Sequence, residues 1–99
     1  MLLARVTGTV VATSKEPRIE GIKLLVLEKV DPATMEGRKD YVVAMDAVGA
    51  GPGEIVIYVA GSSSRLTAVT EGKPSDATII GIVDAVELDG VVAWKKGAA

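Results

Sequence analysis

Two short runs and three acids hold most of the chemical potential of this chain. Gly49-Ala50-Gly51-Pro52-Gly53 has the glycine density of a phosphate-cradling loop. The dinucleotide fingerprint, however, needs glycine at its sixth position and a helix after it. Glu54 stands at that position, and the strand-like run EIVIYVA follows. No Gly-Lys-Ser/Thr supplies a P-loop either. The glycines therefore read as a tight turn in which backbones approach closely. Gly61-Ser62-Ser63-Ser64-Arg65 is richer. Hydroxyls, exposed N–H groups and a guanidinium together could hold an anion. The plainer reading is an ordinary capped helix start with Arg65 in a salt bridge. Serine nucleophiles need an activating base, and the chain has no histidine and nothing that places a lysine nearby.

Asp46, Asp76 and Asp84 lie in or beside apolar runs. A carboxylate pair could do acid–base work, but a structural role fits better. Asp46 and Asp84 each need a hydrogen-bonding partner if buried, and Arg65 or backbone N–H groups are the candidates. The expectation is therefore a structural ion pair joining Arg65 to Asp46 or Asp84. With no cysteine and no histidine, the usual thiolate and imidazole ligands are missing, so neither a metal site nor a cofactor is expected. Trp94 is a lone aromatic beside Lys95 and Lys96. A single-strand-binding surface wants several stacking aromatics, and the chain has one Trp, two Tyr and no Phe. Trp94 reads as a packing anchor, within or between subunits.

The elements that must position these residues are strands. Eleven basic residues against thirteen acidic ones give a net charge of −2, which argues against a nucleic-acid partner. The chain of 99 residues is read as one domain, residues 1–99. Its apolar residues are mainly Val and Ile, which suit pleated sheets. Strands are expected over residues 2–13, 22–30, 41–48, 54–60 and 78–88, with a bulge or bend at Gly8, a kink at Gly81 and a charged hairpin loop over 31–40. Serine ahead of LTAV predicts one short helix over residues 63–69. Asp89-Gly90 is a turn signal after which VVAWKK could form a short last strand. The fold class is all-β: a small five-stranded barrel resembling an OB-fold, with one short helix. The N-terminal stretch lacks a basic signal region and no apolar run approaches the ~20 residues of a bilayer span. The expectation is a cytoplasmic protein with no membrane contact.

One excess remains. The second, third and fifth strands are apolar on both faces, whereas a small barrel has only one inside. No further helix is available to cover the outside, so subunit contact is expected to do so. A binding module holding nucleic acid or an anion at Gly61–Arg65 is the alternative reading.

Several ordered segments together resemble the EutN/CcmL family of bacterial microcompartment vertex proteins. Arg5-Val6-Thr7-Gly8-Thr9-Val10-Val11-Ala12-Thr13 is similar to the family's first strand, and Gly21-Ile22-Lys23-Leu24-Leu25-Val26-Leu27 to its second. Asp46-Ala47-Val48-Gly49-Ala50-Gly51 resembles its D-x-V/L-G-A-G segment. Gly61-Ser62-Ser63-Ser64-Arg65 resembles G-S-S/A-A-R, with Ser64 where alanine is usual. Lys73-Pro74-Ser75-Asp76-Ala77, then Gly81-Ile82-Val83-Asp84, resembles the K-P-x-D-A…G/A-I-V/I-D ending. The resemblance spans nearly the whole chain. It implies a non-enzymatic shell protein whose homopentamers plug the five-fold corners of a polyhedral shell tiled by hexameric proteins. Under that reading Gly49, Ala50 and Gly51, and Gly61, Ser62, Ser63, Ser64 and Arg65, are candidates for the pore or the subunit interface. The charged segments Glu36 to Asp40 and Lys15 to Glu20 are candidates for contact with hexamers.

Overall fold

A computed structural model describes residues 1–13 and 15–97. Seven strands run in chain order: β1 (Leu2–Val10), β2 (Leu24–Val30), β3 (Gly37–Asp46), β4 (Ile55–Ala60), β5 (Ala77–Ile82), β6 (Ala85–Leu88) and β7 (Val91–Lys95). The first five close into a barrel of order β1-β2-β3-β5-β4, and β6 and β7 form a separate two-stranded sheet. All barrel neighbours are antiparallel except β3 and β5, which run parallel. Closure removes the exposed sheet edges that a short open sheet would carry.

Alternation sorts the barrel strands into an inside and an outside. Ala4, Val6, Leu25, Leu27, Ala44, Val56, Tyr58 and Ile79 form the buried interior. At Gly8 the β1–β2 register shifts, leaving Thr7 unpaired, and the Thr7 hydroxyl donates to the Val26 carbonyl at 3.2 Å. This is the expected bulge, and it bends β1 around the barrel. The β4–β5 register also shifts beside Gly81.

Three elements depart from expectation. The segment 31–40 is not all loop, because β3 begins at Gly37, opposite Val30. A compact turn suffices: the Met35 N–H donates to the Asp31 carbonyl and the Asp31 N–H to that of Glu36. The expected helix over 63–69 is a 3₁₀ turn over Gly61–Arg65, which lacks a side-chain cap at its start. Three hydroxyl-bearing residues in five favour such local turns over α-helix. The long fifth strand is two strands. β5 ends at Ile82, Val83 still donates to the Ile55 carbonyl, and β6 then pairs with β7. An apolar run does not reveal that its two halves belong to different sheets.

The β6–β7 turn is Asp89-Gly90, both with positive φ (51° and 77°), the backbone of a two-residue type I′ hairpin. Its root lies on the barrel's outside. Val86 and Trp94 pack with Leu3, Val30, Met35, Ile55, Ile57 and Val83 in a second apolar cluster. The chain therefore covers part of its own outer surface.

Candidate functional site

The Gly61–Arg65 turn is held from beneath by a buried hydroxyl network. Ser64, Thr70, Ser75 and Thr78 are all inaccessible or nearly so. The Ser64 carbonyl accepts from the Thr78 hydroxyl at 2.6 Å and the Thr70 hydroxyl at 2.7 Å. Since each of those protons is committed, Thr67 donates to the Thr70 oxygen at 2.6 Å. The Ser64 hydroxyl has the carbonyls of Gly61 and Ser75 within reach, at 2.6 and 2.7 Å. Such a closed set fixes backbone shape where few apolar side chains are available. It also defines what the serine does. Its proton is directed at the Gly61 and Ser75 carbonyls, so it fastens the turn to the β5 side of the barrel. Ser62 and Ser63, next to it, are exposed.

The structure corrects the expected ion pair of Arg65 with Asp46 or Asp84. Arg65 is exposed and its Nε–H donates to the Ser75 carbonyl at 3.1 Å. Asp46 is satisfied locally: its Oδ1 accepts from the N–H groups of Val48 and Gly49, each at 3.0 Å. An Asx turn at the end of β3 therefore removes the need for a cationic partner. Asp84 is exposed at the exit from the barrel, where its carbonyl accepts from the Lys96 N–H. Its side chain is open to solvent and forms no ion pair with Arg65. Arg65 instead borders an open cavity of 470 Å³ with Pro74, Ser75 and Asp76.

Gly49 to Gly53 forms a turn as read, with φ of 79° at both Gly49 and Gly53, a conformation that strains any side chain. Ala50 between them is fully buried against the barrel core, so it is not freely lining an opening within the chain. Lys23 donates to the Ala50 carbonyl at 3.2 Å. Glu54, which breaks the dinucleotide fingerprint, joins this turn to the C-terminal hairpin. It accepts from the Gly51 N–H at 2.5 Å and from the Lys96 ammonium at 2.7 Å. The Lys96 hydrogen bond, followed by the Gly51 N–H, holds the Glu54 carboxyl below its ordinary value of 4.5. The same contact raises Lys96 above its ordinary 10.5.

Among the exposed apolar side chains, two groups lie on strands. On the outside of β3, Tyr41 and Val43 are 56% and 46% exposed. On the hairpin, Leu88 and Val91 are 40% and 67% exposed. The hairpin surface was not singled out from the sequence; the Asp89-Gly90 turn between valine-rich flanks was its signal. Trp94 is an anchor within the chain, packed in the second cluster.

The comparisons with known proteins agree with this architecture. The family model described as ethanolamine utilisation protein EutN/carboxysome matches residues 1–84. The carboxysome shell vertex protein CcmL of Gloeobacter violaceus is 43% identical over 96 residues, covering 97% of this chain and 95% of that protein. The bacterial microcompartment shell vertex protein EutN of Escherichia coli K12 is 43% identical over 98 residues, covering 97% of this chain and all of that one (100%). The solved structure of Gloeobacter violaceus CcmL superposes with a TM-score of 0.94 at 42% identity, over 99% of this chain and 100% of that one. That of GrpN, a pentameric microcompartment shell protein from Rhodospirillum rubrum, gives 0.81 at 43% identity, over 89% of this chain and 99% of that one. A match of the family model over residues 1–84 and relatives 43% identical over nearly the whole chain leave one assignment: the chain belongs to the EutN/CcmL family.

Proposed function

We propose that this protein is a structural component of a bacterial microcompartment shell, assembling as a homopentamer that caps the shell's five-fold vertices from the cytoplasmic interior of the cell. The observation that carries the reading is the match, over nearly the whole chain, to proteins named as shell vertex proteins, one of them described as pentameric. The geometry supports it from below. The barrel interior is filled by its own side chains, so it offers no cavity for a substrate. Two different apolar surfaces, on β3 and on the hairpin, remain uncovered. Contact between unlike patches is heterologous, and such contacts close into rings when the rotation permits.

In this reading the protein is not an enzyme, and its partners are four further copies of itself and hexameric shell proteins. Gly61–Arg65 and Gly49–Gly51 are the segments proposed for the axis or the subunit interface. Gly61, Ser62 and Ser63 are exposed and small, which suits a crowded symmetry axis better than the buried Ala50. For the hexamer-facing rim the Lys15–Glu20 segment is favoured. It is an exposed turn shaped by the 3₁₀ residues Pro17–Ile19 and by an Arg18–Glu16 ion pair at 2.7 Å. The Glu36–Asp40 segment is largely part of β3.

Native mass spectrometry at micromolar concentration tests the ring, with a five-subunit species expected. Co-expression with shell hexamers, viewed by electron microscopy, tests the capping role. Closed particles that lose their corners when this chain is omitted support it. A monomer that retains nucleic acid, or particles equally sealed without the chain, would overturn it.

A further inference from the structure

Tyr58 is buried in the barrel interior, and among the described residues its hydroxyl is the one buried side-chain oxygen or nitrogen that no protein group bonds. Buried polar atoms are nearly always hydrogen-bonded, so an orphan needs an explanation. The strand registers show what stands near it. Leu2 pairs with Tyr58, and Ala4 pairs with Val56 on one side and Lys29 on the other. Residues directly opposite each other in an antiparallel ladder share a face, and Ala4 and Val56 face the interior. Lys29 therefore stands on the inner face, at the end of the barrel where β1 begins, one layer from Tyr58. Asp40 joins it from β3. It lies two residues ahead of Val42, which packs against the core, and its Oδ2 accepts from the Lys29 ammonium at 3.2 Å. The two side chains are 34% and 61% exposed, so the lysine is the inner member of the pair. Burial raises the Tyr58 phenol above its ordinary value of 10.0, and the charges that reach it are those of Lys29 and Asp40, which act in opposite directions. Polar groups from β2, β3 and β4 thus converge on one end of the barrel, and only two of the three are bonded to each other.

The chemistry of the three groups selects what joins them. The phenol and the ammonium donate, and the carboxylate accepts. An anion that takes the two donors meets the charge of Asp40, and a cation that takes the acceptor meets the charge of Lys29. The interior is filled by the chain's own side chains, which excludes a larger ligand. A water is neutral and small, and it accepts from two donors while donating to a carboxylate. We propose that this end of the barrel is a binding site for one water molecule, held between the Tyr58 hydroxyl and the Lys29–Asp40 pair. Its position gives it a structural task. β4 pairs with β1 and β5, whereas Lys29 and Asp40 belong to β2 and β3. The water therefore ties together strands that share no ladder and braces the barrel across its end. The site lies within one chain and holds whether or not copies of the chain assemble.

Two measurements test the site. A high-resolution crystal structure of the parent should show one ordered water within hydrogen-bond distance of the Tyr58 Oη and of Lys29 or Asp40. Urea unfolding at matched protomer concentration reads the coupling. Tyr58→Phe should lower the folding equilibrium constant by about two- to tenfold in the parent. The same change should cost less than about twofold where Lys29→Met has removed the water's outer donor, because the two sides of the bridge are then no longer coupled. Asp40→Ala, at a largely exposed position, provides the same comparison should the Lys29→Met chain not fold. A crystal structure in which the Tyr58 Oη bonds directly to a protein group, or has no water beside it, overturns the site. So does a Tyr58→Phe cost that is equal in the parent and in these backgrounds, since the hydroxyl then acts independently of the pair.

Discussion

At the scale of single residues, hydrogen-bond accounting separates fold from assembly. The buried Thr78 hydroxyl satisfies the Ser64 carbonyl in a dry setting, whereas exposed Arg65 contributes one bond to the Ser75 carbonyl. Thr70 remains as a second donor to that carbonyl, so removing the Thr78 hydroxyl loses two buried bonds, to Ser64 and Ser75, each worth about 0.5–1.5 kcal/mol, whereas Arg65 loses one solvated bond. Thr78→Val should therefore lower stability by about 1–2 kcal/mol, and Arg65→Ala by less than about 1 kcal/mol. Urea unfolding at matched protomer concentration compares them, and the reverse ranking would show that Arg65 is held in the assembly more firmly than in the chain. Ser64→Ala is the milder change in the same network, because alanine is the residue the family pattern favours there and the Thr70 and Thr78 bonds to the carbonyl survive. Tyr58 is a different case. Its ring fills the barrel interior, its burial raises the phenol above its usual range, and among the described residues its hydroxyl finds no partner. With the water proposed at the barrel end as its partner, Tyr58→Phe should lower the melting temperature by several degrees, and an unchanged or higher value would show that the hydroxyl has none.

At the scale of elements, the C-terminal hairpin depends on a titratable fastening. Glu54 reaches from the start of β4 to Lys96 at the end of β7. Because the folded carboxyl titrates below its ordinary value, its contribution is present above the unfolded value and is lost as the pH falls through the folded one. Lys96 has a raised value, so its contribution is present below its unfolded value and lost at strongly alkaline pH. Amide exchange in β7 should thus be slower in the parent than in Glu54→Gln at pH 7, and the two should converge as the pH falls through the lowered Glu54 value. Equal exchange at pH 7 would show that the pair does not hold the hairpin. The sequence made the barrel legible, because alternating Val, Leu and Ile between Gly and Pro punctuation marks strands wherever one face is buried. Gly8 was readable as a bulge for the same local reason. The division of residues 78–88 was not, since Ile79 and Val86 look alike in a sequence although one is in the core and the other on the outside of the barrel. For Asp46 the sequence leaves Arg65 and backbone N–H groups both open as partners, because the Asx turn that decides for the backbone depends on the conformation of Val48 and Gly49, which composition does not specify.

At the scale of the whole molecule, the question is what a barrel of this size needs in order to persist. A chain of 99 residues buries only about 60–70% of the surface it exposes when unfolded. This one also leaves Tyr41, Val43, Leu88 and Val91 open. Joining copies through those residues links folding to assembly, so stability must depend on protomer concentration. For a ring of five that dissociates as it unfolds, four of every five subunits gain from mass action. A tenfold rise in concentration then adds about 1.1 kcal/mol per protomer. In a domain of about 100 residues that shifts the melting temperature by about 4–8 °C. Differential scanning fluorimetry across two decades of concentration should show the drift, and Val91→Glu should flatten it by leaving a monomer whose melting no longer depends on dilution. A parent melting temperature independent of concentration would mean that the barrel is stable alone and that the open faces do not join copies. In that outcome a ring built on these faces would not survive, and the apolar surface would have to serve a different partner.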